Sequence, residues 1–181
     1  IIVGMVGHLT SFKGWYDFIK TIKLINERTT FKIKAFIIGD GIMREELEDK
    51  VAYLGLSDVF VFTGYQDKIK DILNQLDIFL FTTHREGLSV AVIEVLASGL
   101  PIVATNIGGI NEQIDEGENG YVLSKGDVDG MADKCLELIN NHELRIKFGK
   151  KSREIAEERF SQKRMFLEHI ECYKNVLKIN F

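Results

Sequence analysis

The chain has 181 residues, of which 45% are hydrophobic and 28% are charged, a composition typical of one globular domain with a sizeable core. Its net charge of −4 argues against general nucleic-acid binding, which favours a basic surface. No apolar run approaches the roughly 18 residues of a transmembrane helix, and two cysteines are too few for a disulfide framework.

The charge is spread unevenly along the chain. Residues 1–34 carry six basic and two acidic residues, which gives this segment +4 and leaves −8 for the remainder. The basic residues of this segment are interpreted as lying on solvated helix faces. The alternative interpretation is that they form a surface that attracts anionic lipid headgroups. The chain also opens directly on a strand-like run without an initiator methionine, so we expect a fragment of a longer polypeptide.

The first predicted unit is a strand, a loop and an amphipathic helix. Residues Ile2 to Val6 form an apolar run with the length of a buried strand. A loop continues to Lys13-Gly14. The following helix has apolar residues at helical spacing, namely Phe18, Ile22 and Ile25.

Two further strand-and-helix units follow. The second strand is predicted over Phe31 to Ile38 and stops at Gly39-Asp40-Gly41. The third covers Val59 to Phe62, ends at Thr63-Gly64-Tyr65 and precedes a helix over Lys68 to Leu76. Open α/β sheets bind ligands at such glycine turns, although Gly-Asp-Gly alone also describes an ordinary tight turn. Neither the dinucleotide-binding glycine pattern nor the P-loop pattern occurs, which argues against a dehydrogenase and a P-loop enzyme.

The central stretch is a strand, a polar loop, a helix and a strand begun by proline. Residues Asp77 to Phe81 are predicted as a buried strand. A helix is predicted over Leu88 to Ala97, and Gly99-Leu100-Pro101 ends it before a strand that runs to Thr105. The apolar positions expected to face the core are Val90, Ile93 and Ala97, flanked by Val92 and Leu96.

Two carboxylates lie in this stretch, Glu86 before the helix and Glu94 inside it. They stand eight positions apart, which at about 1.5 Å per residue is roughly 12 Å along the axis, too far for the paired carboxylates of a glycosidase. They suit the two ends of one long ligand. Between them the helix start offers the backbone amides of Gly87, Leu88 and Ser89, which favour a phosphate group. This layout predicts a nucleotide-sugar site.

The rest of the chain is predicted as a glycine loop, a short strand and a helical tail. The loop Asn106 to Glu112 contains paired glycines, which let backbone approach a ligand closely. A turn and a last strand follow over Gly117 to Leu123, and the pattern is helical from Asp127 onward. The Asp127-Val128-Asp129 string is interpreted as helix-start carboxylates rather than a metal site.

The helical tail has two further features. Cys135 and Cys172 are predicted to be core thiols because their spacing matches no metal site. The last helix is predicted to start near Ser161, a plausible N-cap. Its apolar stripe either packs completely within the domain or is left exposed and favours self-association; the stripe consists of Phe166, Ile170, Tyr173 and Leu177.

Strands that alternate with helices predict an α/β fold. The expected architecture is a doubly wound parallel sheet of five to six strands with helices on both faces and an all-helical C-terminal end. No repeat or linker divides the chain, so residues 1–181 are expected to form a single domain.

The run Glu86-Gly87-Leu88-Ser89 through Glu94, continued by Ala97-Ser98-Gly99-Leu100-Pro101-Ile102-Val103-Ala104-Thr105, resembles the E-x7-E region of glycosyltransferase family 4. This family comprises group 1 retaining enzymes of the GT-B fold. The resemblance implies that the chain is the Rossmann-like C-terminal half, which binds the nucleotide-sugar donor. It also implies that the N-terminal acceptor-binding domain is absent from this chain.

The resemblance assigns roles to individual residues. Lys13 and Glu86 would be catalytic, with Lys13 on the donor diphosphate and Glu86 on hydroxyls of the transferred sugar. Glu94 would hold the ribose. His8 stands where the family has an arginine, and it substitutes imperfectly because histidine is only partly charged near neutral pH.

The remaining donor-binding positions follow from the same resemblance. Backbone near Gly64 and Tyr65 would meet the base, and Tyr65 either stacks on it or covers the sheet edge. Glu112 either belongs to the family's Gly-Gly-x-x-Glu loop or is a helix-start carboxylate. Besides His8, Tyr65, Glu86 and Glu94, the expected donor-binding residues are Gly39, Asp40, Gly87, Leu88, Ser89, Gly108 and Gly109.

The expected protein is therefore the donor-binding half of a retaining, metal-independent hexosyltransferase. The whole enzyme would transfer a sugar from a UDP- or GDP-sugar to a hydroxyl in glycan, polysaccharide or glycolipid synthesis. No cofactor is expected, and the expected partners are the nucleotide-sugar and the missing N-terminal domain, with no nucleic acid. The alternatives are a GT-B nucleotide-sugar epimerase or, for this chain alone, a nucleotide-binding module without activity. A cytoplasmic location is expected, either free or with peripheral membrane contact through the acceptor.

Overall fold

The computed structural model describes residues 1–177. Six strands form one parallel sheet in the order β3-β2-β1-β4-β5-β6. The strands are β1 (Ile2–Val6), β2 (Lys34–Ile38), β3 (Phe60–Gly64), β4 (Ile78–Phe81), β5 (Ile102–Thr105) and β6 (Gly120–Leu123). The helices within the described residues are α1 (Trp15–Arg28), α2 (Arg44–Tyr53), α3 (Ile69–Leu73), α4 (Val90–Ala97), α5 (Ile110–Gln113), α6 (Val128–Asn140), α7 (His142–Arg159) and α8 (Gln162–Leu177).

The sheet is doubly wound, as predicted from the alternation of strands and helices. The chain adds β2 and β3 on one side of β1 and then returns to add β4, β5 and β6 on the other. Right-handed crossovers that run in opposite directions put their helices on opposite faces. Helices α1, α2 and α6 therefore cover one face, while α4 packs with α7 on the other.

The two central strands are apolar on both faces because helices cover both sides of the sheet. All four residues of β4 are buried, and the rings of Phe79 and Phe81 stack with their centroids 5.9 Å apart. Val3 and Met5 of β1 are fully buried. The prediction of a buried strand ending at Phe81 is therefore confirmed.

Several predicted boundaries are wrong. The second strand starts at Lys34, and Phe31 is 49% exposed, because the polar turn after α1 occupies residues 29–33. The helix predicted over Lys68 to Leu76 is the single-turn helix α3. In both places apolar residues extended the predicted pattern beyond the hydrogen-bonded element.

The central helix also differs from its prediction. It begins at Val90, with Ser89 as N-cap, and the Ser89 hydroxyl accepts a hydrogen bond from the Val92 amide at 3.4 Å. Val90 is 69% exposed, whereas the buried residues include Val92 and Val95. The core-facing side is thus rotated from the predicted one, since a helix that is apolar all round does not reveal its buried face.

Helix α7 fixes the position of α4. The Ser152 hydroxyl donates to the carbonyl of Leu100 at 2.7 Å. A Cβ added at Gly149 would lie only 2.2 Å from the carbonyl oxygen of Gly99, so the two backbones touch. This close packing holds the helix that carries Glu94.

The helical end of the chain confirms part of the prediction. Asp127 is the N-cap of α6 and accepts from the Gly130 amide at 2.9 Å, which confirms it as a helix-start carboxylate. Cys135 is fully buried, as expected for a core thiol. Cys172 is exposed, so its prediction is wrong, because α8 buries none of its described residues.

The stripe on α8 is left exposed in this chain. The predicted N-cap is confirmed, since the Ser161 hydroxyl accepts from the Arg164 amide at 3.4 Å. Phe166 and Tyr173 are 63% and 62% exposed. Of the two alternatives, complete packing within the domain is therefore excluded.

Candidate functional site

The candidate site lies at the carboxyl edge of the sheet, beside the point where the strand order reverses. Strands β1 and β4 are neighbours there but belong to opposite halves of the winding. The loops that follow them leave the sheet in opposite directions and open a crevice between them. Ligands bind at this position in open α/β sheets.

Lys13 and Glu86 meet across this crevice. Lys13 lies in the 3₁₀ turn Ser11–Lys13 after β1, and Glu86 lies in the loop after β4. The Lys13 Nζ is 2.5 Å from Oε2 of Glu86, and the two side chains are 19% and 23% exposed. This ion pair is accessible from the crevice and partly shielded from water, so an anionic ligand can compete for the ammonium group.

Glu94 lines a cleft of about 370 Å³ that also contains Gly7, His8, Gly39 and Asp40. Its carboxylate has no hydrogen-bond or ion-pair partner among residues 1–177, and the side chain is half-buried. Burial raises the pKa of Glu94 above its usual range. An acceptor group that is half-buried and unpaired is suited to hydroxyl donors of a ligand.

A second cleft of about 420 Å³ lies beside the ion pair and is lined by Phe12, Lys13, Arg85, Glu86 and Gly87. Phe12 is 50% exposed, and the Arg85 guanidinium has no partner in the described part of the chain. The two carboxylates of the E-x7-E pattern thus line different clefts. A long ligand that spans both would meet one carboxylate at each end.

The loop between the two carboxylates is only partly as predicted. Because α4 begins at Val90, the segment from Glu86 to Ser89 is not helical, and the helical rise used to predict a separation of roughly 12 Å does not apply to it. The Gly87 and Leu88 amides have no acceptor within residues 1–177. The Ser89 amide is not free, since it donates to a side-chain oxygen of Gln113 at 3.2 Å.

Gln113 locks this loop in place. Its side-chain amide also donates to the carbonyl of Ser89 at 2.8 Å, so one side chain pairs with both backbone groups of one residue. Ser89 and Gln113 are both almost fully buried. The residue lies at the end of α5, one position beyond the predicted loop, and no spacing in the sequence signals the pairing.

The paired glycines support the same loop through backbone contacts. Gly108 has φ +50°, and a Cβ there would lie 2.2 Å from the Glu86 carbonyl oxygen. The Gly109 amide donates to the Gly87 carbonyl at 3.1 Å. Glu112 lies in the first turn of α5, as expected of a helix-start carboxylate, and its side chain stays close to Gly109, so both interpretations remain open for it.

Three predicted residues lie at the rim of the larger cleft. His8 and Asp40 are exposed, and Tyr65 is 74% exposed. One oxygen of Asp40 accepts from the Gly41 amide at 2.8 Å and the other pairs with Arg44 at 3.2 Å. Asp40 therefore shapes its own turn.

Sequence reasoning overlooked other residues that line the clefts. Gln66, Asp67 and Ile69 follow Tyr65 in the larger cleft, and Phe12 and Arg85 line the smaller one. Phe12 and Arg85 could have been selected as the immediate neighbours of Lys13 and Glu86 in the sequence. No other signal was available, because exposed side chains in a loop have no periodic pattern.

Residues 1–177 contain no group of three or more His, Cys, Asp or Glu side chains placed to hold a metal ion. None of the helices described for this part of the chain has the length and hydropathy that a membrane span requires.

The doubly wound sheet and its glycine-lined crevice define a Rossmann-like α/β domain of the kind found in GT-B glycosyltransferases. The family model for "Glycosyl transferases group 1" matches residues 1–155. The chain therefore belongs to the group 1 glycosyltransferases, which confirms this part of the resemblance.

Two curated relatives illustrate the match. The chain is 31% identical over 180 residues to the capsular polysaccharide biosynthesis glycosyltransferase CapM of Staphylococcus aureus, covering 98% of this chain and 47% of CapM. It is 30% identical over 150 residues to N-acetyl-alpha-D-glucosaminyl L-malate synthase of Bacillus anthracis, covering 83% and 39%. The chain thus spans less than half the length of these relatives.

Two solved structures share the fold at similar identity. The chain superposes on S. aureus TarM, a mutant crystallised with UDP, Fondaparinux and alpha-GlcNAc-glycerol, with a TM-score of 0.88 at 26% identity, covering 94% of this chain and 34% of TarM. The C-terminal domain of a group 1 glycosyl transferase (LpcC) from Francisella tularensis gives 0.81 at 27% identity, covering 89% and 86%.

Proposed function

We propose that this chain is the donor-binding C-terminal half of a retaining glycosyltransferase of family 4, with residues 1–181 as one domain. The parent enzyme would transfer a hexose from a UDP- or GDP-sugar to a hydroxyl in glycan, polysaccharide or glycolipid synthesis. The observation that carries the proposal is the alignment of two clefts along one sheet edge, with Glu94 in one and the Lys13–Glu86 pair beside the other. Group 1 membership and the UDP-bound TarM relative support it.

The donor would lie along this edge with its nucleoside in the larger cleft. The unpaired carboxylate of Glu94 accepts hydrogen bonds from the ribose hydroxyls, and Gly39, Asp40 and Tyr65 border the base. Charge-assisted hydrogen bonds of this kind are the stronger ones in proteins. Titration with UDP and GDP would distinguish uracil from guanine as the preferred base.

The diphosphate would lie over the crevice between β1 and β4. Lys13 supplies a positive charge, His8 a second donor, and the Gly87 and Leu88 amides two backbone donors. Cationic side chains and backbone amides neutralise the diphosphate, so the proposed mechanism is independent of metal. Ser89 and the pair Gly108 and Gly109 act behind this loop by holding it.

Catalysis would be electrostatic stabilisation and positioning rather than attack by an enzyme nucleophile. The bond between the anomeric carbon and the diphosphate oxygen breaks, and the bonding electron pair leaves with the diphosphate, which Lys13 stabilises. The acceptor oxygen forms its bond to the anomeric carbon on the same face, and its proton passes to the departing phosphate oxygen. Glu86 orients the sugar hydroxyls throughout.

The chain alone is proposed to bind donor without transferring sugar. The acceptor-binding half would close over the open side of both clefts, and the chain covers only 47% of CapM. We place the parent enzyme in the cytoplasm, with peripheral contact to the membrane through its acceptor.

Titration calorimetry of this chain with UDP, GDP, ADP and their sugars tests the proposal. We expect one nucleotide to bind preferentially and Glu94→Gln to weaken it about 10- to 100-fold, as for loss of a hydrogen bond to a charged group. Glu154→Gln on α7, an exposed glutamate outside both clefts, is the matched control and should bind like the wild type. Equal loss in both variants, or no binding at millimolar concentration, would contradict the proposal.

A further inference from the structure

The loop that carries Lys13 is clamped by residues that follow β4. The Thr82 hydroxyl donates to the carbonyl of Gly14 at 2.9 Å, and the backbone amide of His84 donates to the carbonyl of Phe12 at 2.8 Å. These two carbonyls flank Lys13 in the chain. The lysine is thus held from both sides by the strand across the crevice.

The side chain of His84 adds a third connection. Its Nε2 lies 2.6 Å from Oδ2 of Asp17 in the first turn of α1, and the two side chains are 28% and 14% exposed. The Asp17 amide in turn donates to the carbonyl of Gly14 at 2.9 Å. The imidazole therefore joins the end of β4 to the start of α1, immediately behind the Lys13 loop.

The His84–Asp17 pair touches neither cleft, since both residues are absent from the linings of the two clefts. Lys20 is the nearest further charge, with its Nζ 3.9 Å from Oδ1 of Asp17. The three contacts converge on the loop that carries Lys13, whose ion pair with Glu86 also joins the segments after β1 and β4.

We propose that His84 and Asp17 are positioning residues that fix the Lys13 loop so that the lysine ammonium meets the donor diphosphate. This role rests on the proposed function, because it requires an anion at Lys13. Neither residue touches the ligand. Their contribution is to keep the loop in the binding geometry before the ligand arrives, which removes an ordering cost from binding.

This role predicts that loss of the pair weakens contacts to phosphate and leaves contacts to the nucleoside intact. The linings of the two clefts share no residue, and the helix that carries Glu94 packs on α7. Gly7, at the far end of the loop after β1, lines the larger cleft and is tied to β2 by its amide, which donates to the Ile38 carbonyl at 3.0 Å. A general structural role would weaken both kinds of contact together. Comparing a nucleoside diphosphate with its nucleoside therefore isolates the positioning effect.

The experiment uses this chain with UDP and uridine, or GDP and guanosine where the wild type prefers guanine. We expect His84→Ala to weaken diphosphate binding about tenfold, the scale of one charge-assisted contact, and to leave nucleoside binding unchanged. His84→Gln, whose amide can still donate to Asp17, should recover most of the affinity. His142→Ala, an exposed histidine at the start of α7, is the matched control.

A double-mutant cycle completes the test. Lys13→Ala should weaken diphosphate binding, and adding His84→Ala should weaken it little further, because His84 acts only through the contact between Lys13 and phosphate, which is already lost. Asp17→Ala provides a second way to break the pair, and circular dichroism verifies that each variant is folded.

Equal losses for diphosphate and nucleoside, or additive losses in the double variant, would overturn the positioning role and leave the proposed function standing. Unchanged diphosphate binding in both His84→Ala and Asp17→Ala would do the same. A wild type that binds no nucleoside diphosphate would overturn the proposed function, and the positioning role with it.

Discussion

Replacing Gly108 by alanine tests whether the glycine loop supports the loop that carries Glu86. Gly108 has φ +50°, and its added Cβ would lie 2.2 Å from the Glu86 carbonyl oxygen and 2.8 Å from that of Gly87. The left-handed conformation costs an alanine about 1–2 kcal/mol. Displacing the two carbonyls also breaks the hydrogen bond from Gly109 to Gly87, which is worth about 1 kcal/mol.

The expected destabilisation of Gly108→Ala is thus about 2–3 kcal/mol in the free energy of unfolding. For a domain of this size it corresponds to a fall in Tm of about 4 to 12 °C. The assay is urea denaturation together with thermal unfolding followed by circular dichroism. Donor affinity should fall as well, because the displaced carbonyls belong to the loop with Glu86.

Substitutions at two other glycines distinguish the cost of backbone strain from the cost of a steric clash of the added Cβ. Gly117 has φ +75° and no atom within 4 Å of an added Cβ, so Gly117→Ala should cost only the strain, about 1–2 kcal/mol. Gly87 also has open space and no left-handed φ, so Gly87→Ala should change stability by less than about 0.5 kcal/mol. If Gly108→Ala is no more destabilising than Gly117→Ala, the close approach is not a support and the reasoning is refuted.

Three further predictions follow from polar contacts. Gln113→Ala leaves the buried amide of Ser89 unpaired, while the Ser89 carbonyl keeps its bond from the Ile93 amide, and the change should destabilise the chain by about 1–3 kcal/mol, measured by urea denaturation. A loss below about 0.5 kcal/mol, the scale of an ordinary surface substitution, would contradict it. Burial raises the pKa of Glu94, and ribose hydroxyls bind its ionised form, so nucleotide affinity should fall as the pH is lowered toward that pKa. Glu94→Gln should remove this fall in affinity from the pH profile measured by calorimetry. The hydrogen bond from Arg159 lowers the pKa of Asp115, so the ion pair stabilises the fold above the ordinary aspartate pKa and this stabilisation is lost as the pH falls through the pKa of the folded state. Arg159→Gln should therefore lower the free energy of unfolding by about 1 kcal/mol or less near neutral pH and by almost nothing in acid. A loss that is the same at every pH would contradict this prediction.

Much of the fold follows from local patterns in the sequence. The run from Ile78 to Phe81 is short, apolar and bounded by polar residues, and a strand of a fully covered parallel sheet is the element that fits it. The start of the strand at Lys34 was missed because Phe31 and Ile33 extend the apolar pattern. The buried face of α4 was missed because seven of its eight residues are apolar, so their spacing does not select one face.

The residues of the candidate site likewise differ in whether the sequence alone reveals them. Glu86 and Glu94 stand out within one continuous motif, whereas the role of Lys13 came only from the resemblance. Its ion pair with Glu86, 73 residues further along the chain, was not predicted. Gln113 could not be found, because its pairing with Ser89 depends on where two separate loops meet in three dimensions. Local sequence describes elements, and contacts between loops depend on how the sheet brings the strand ends together.

The winding order of the sheet has a consequence for synthesis of the chain. Strand β1 lies between β2 and β4 in the finished sheet, yet β4 begins at Ile78, after both β2 and β3 have emerged from the ribosome. Until then one side of β1, with its apolar residues Val3 and Met5, is an open sheet edge that can pair with other chains. A strand at the centre of the mature fold is thus an unprotected edge while the first half of the chain is being made.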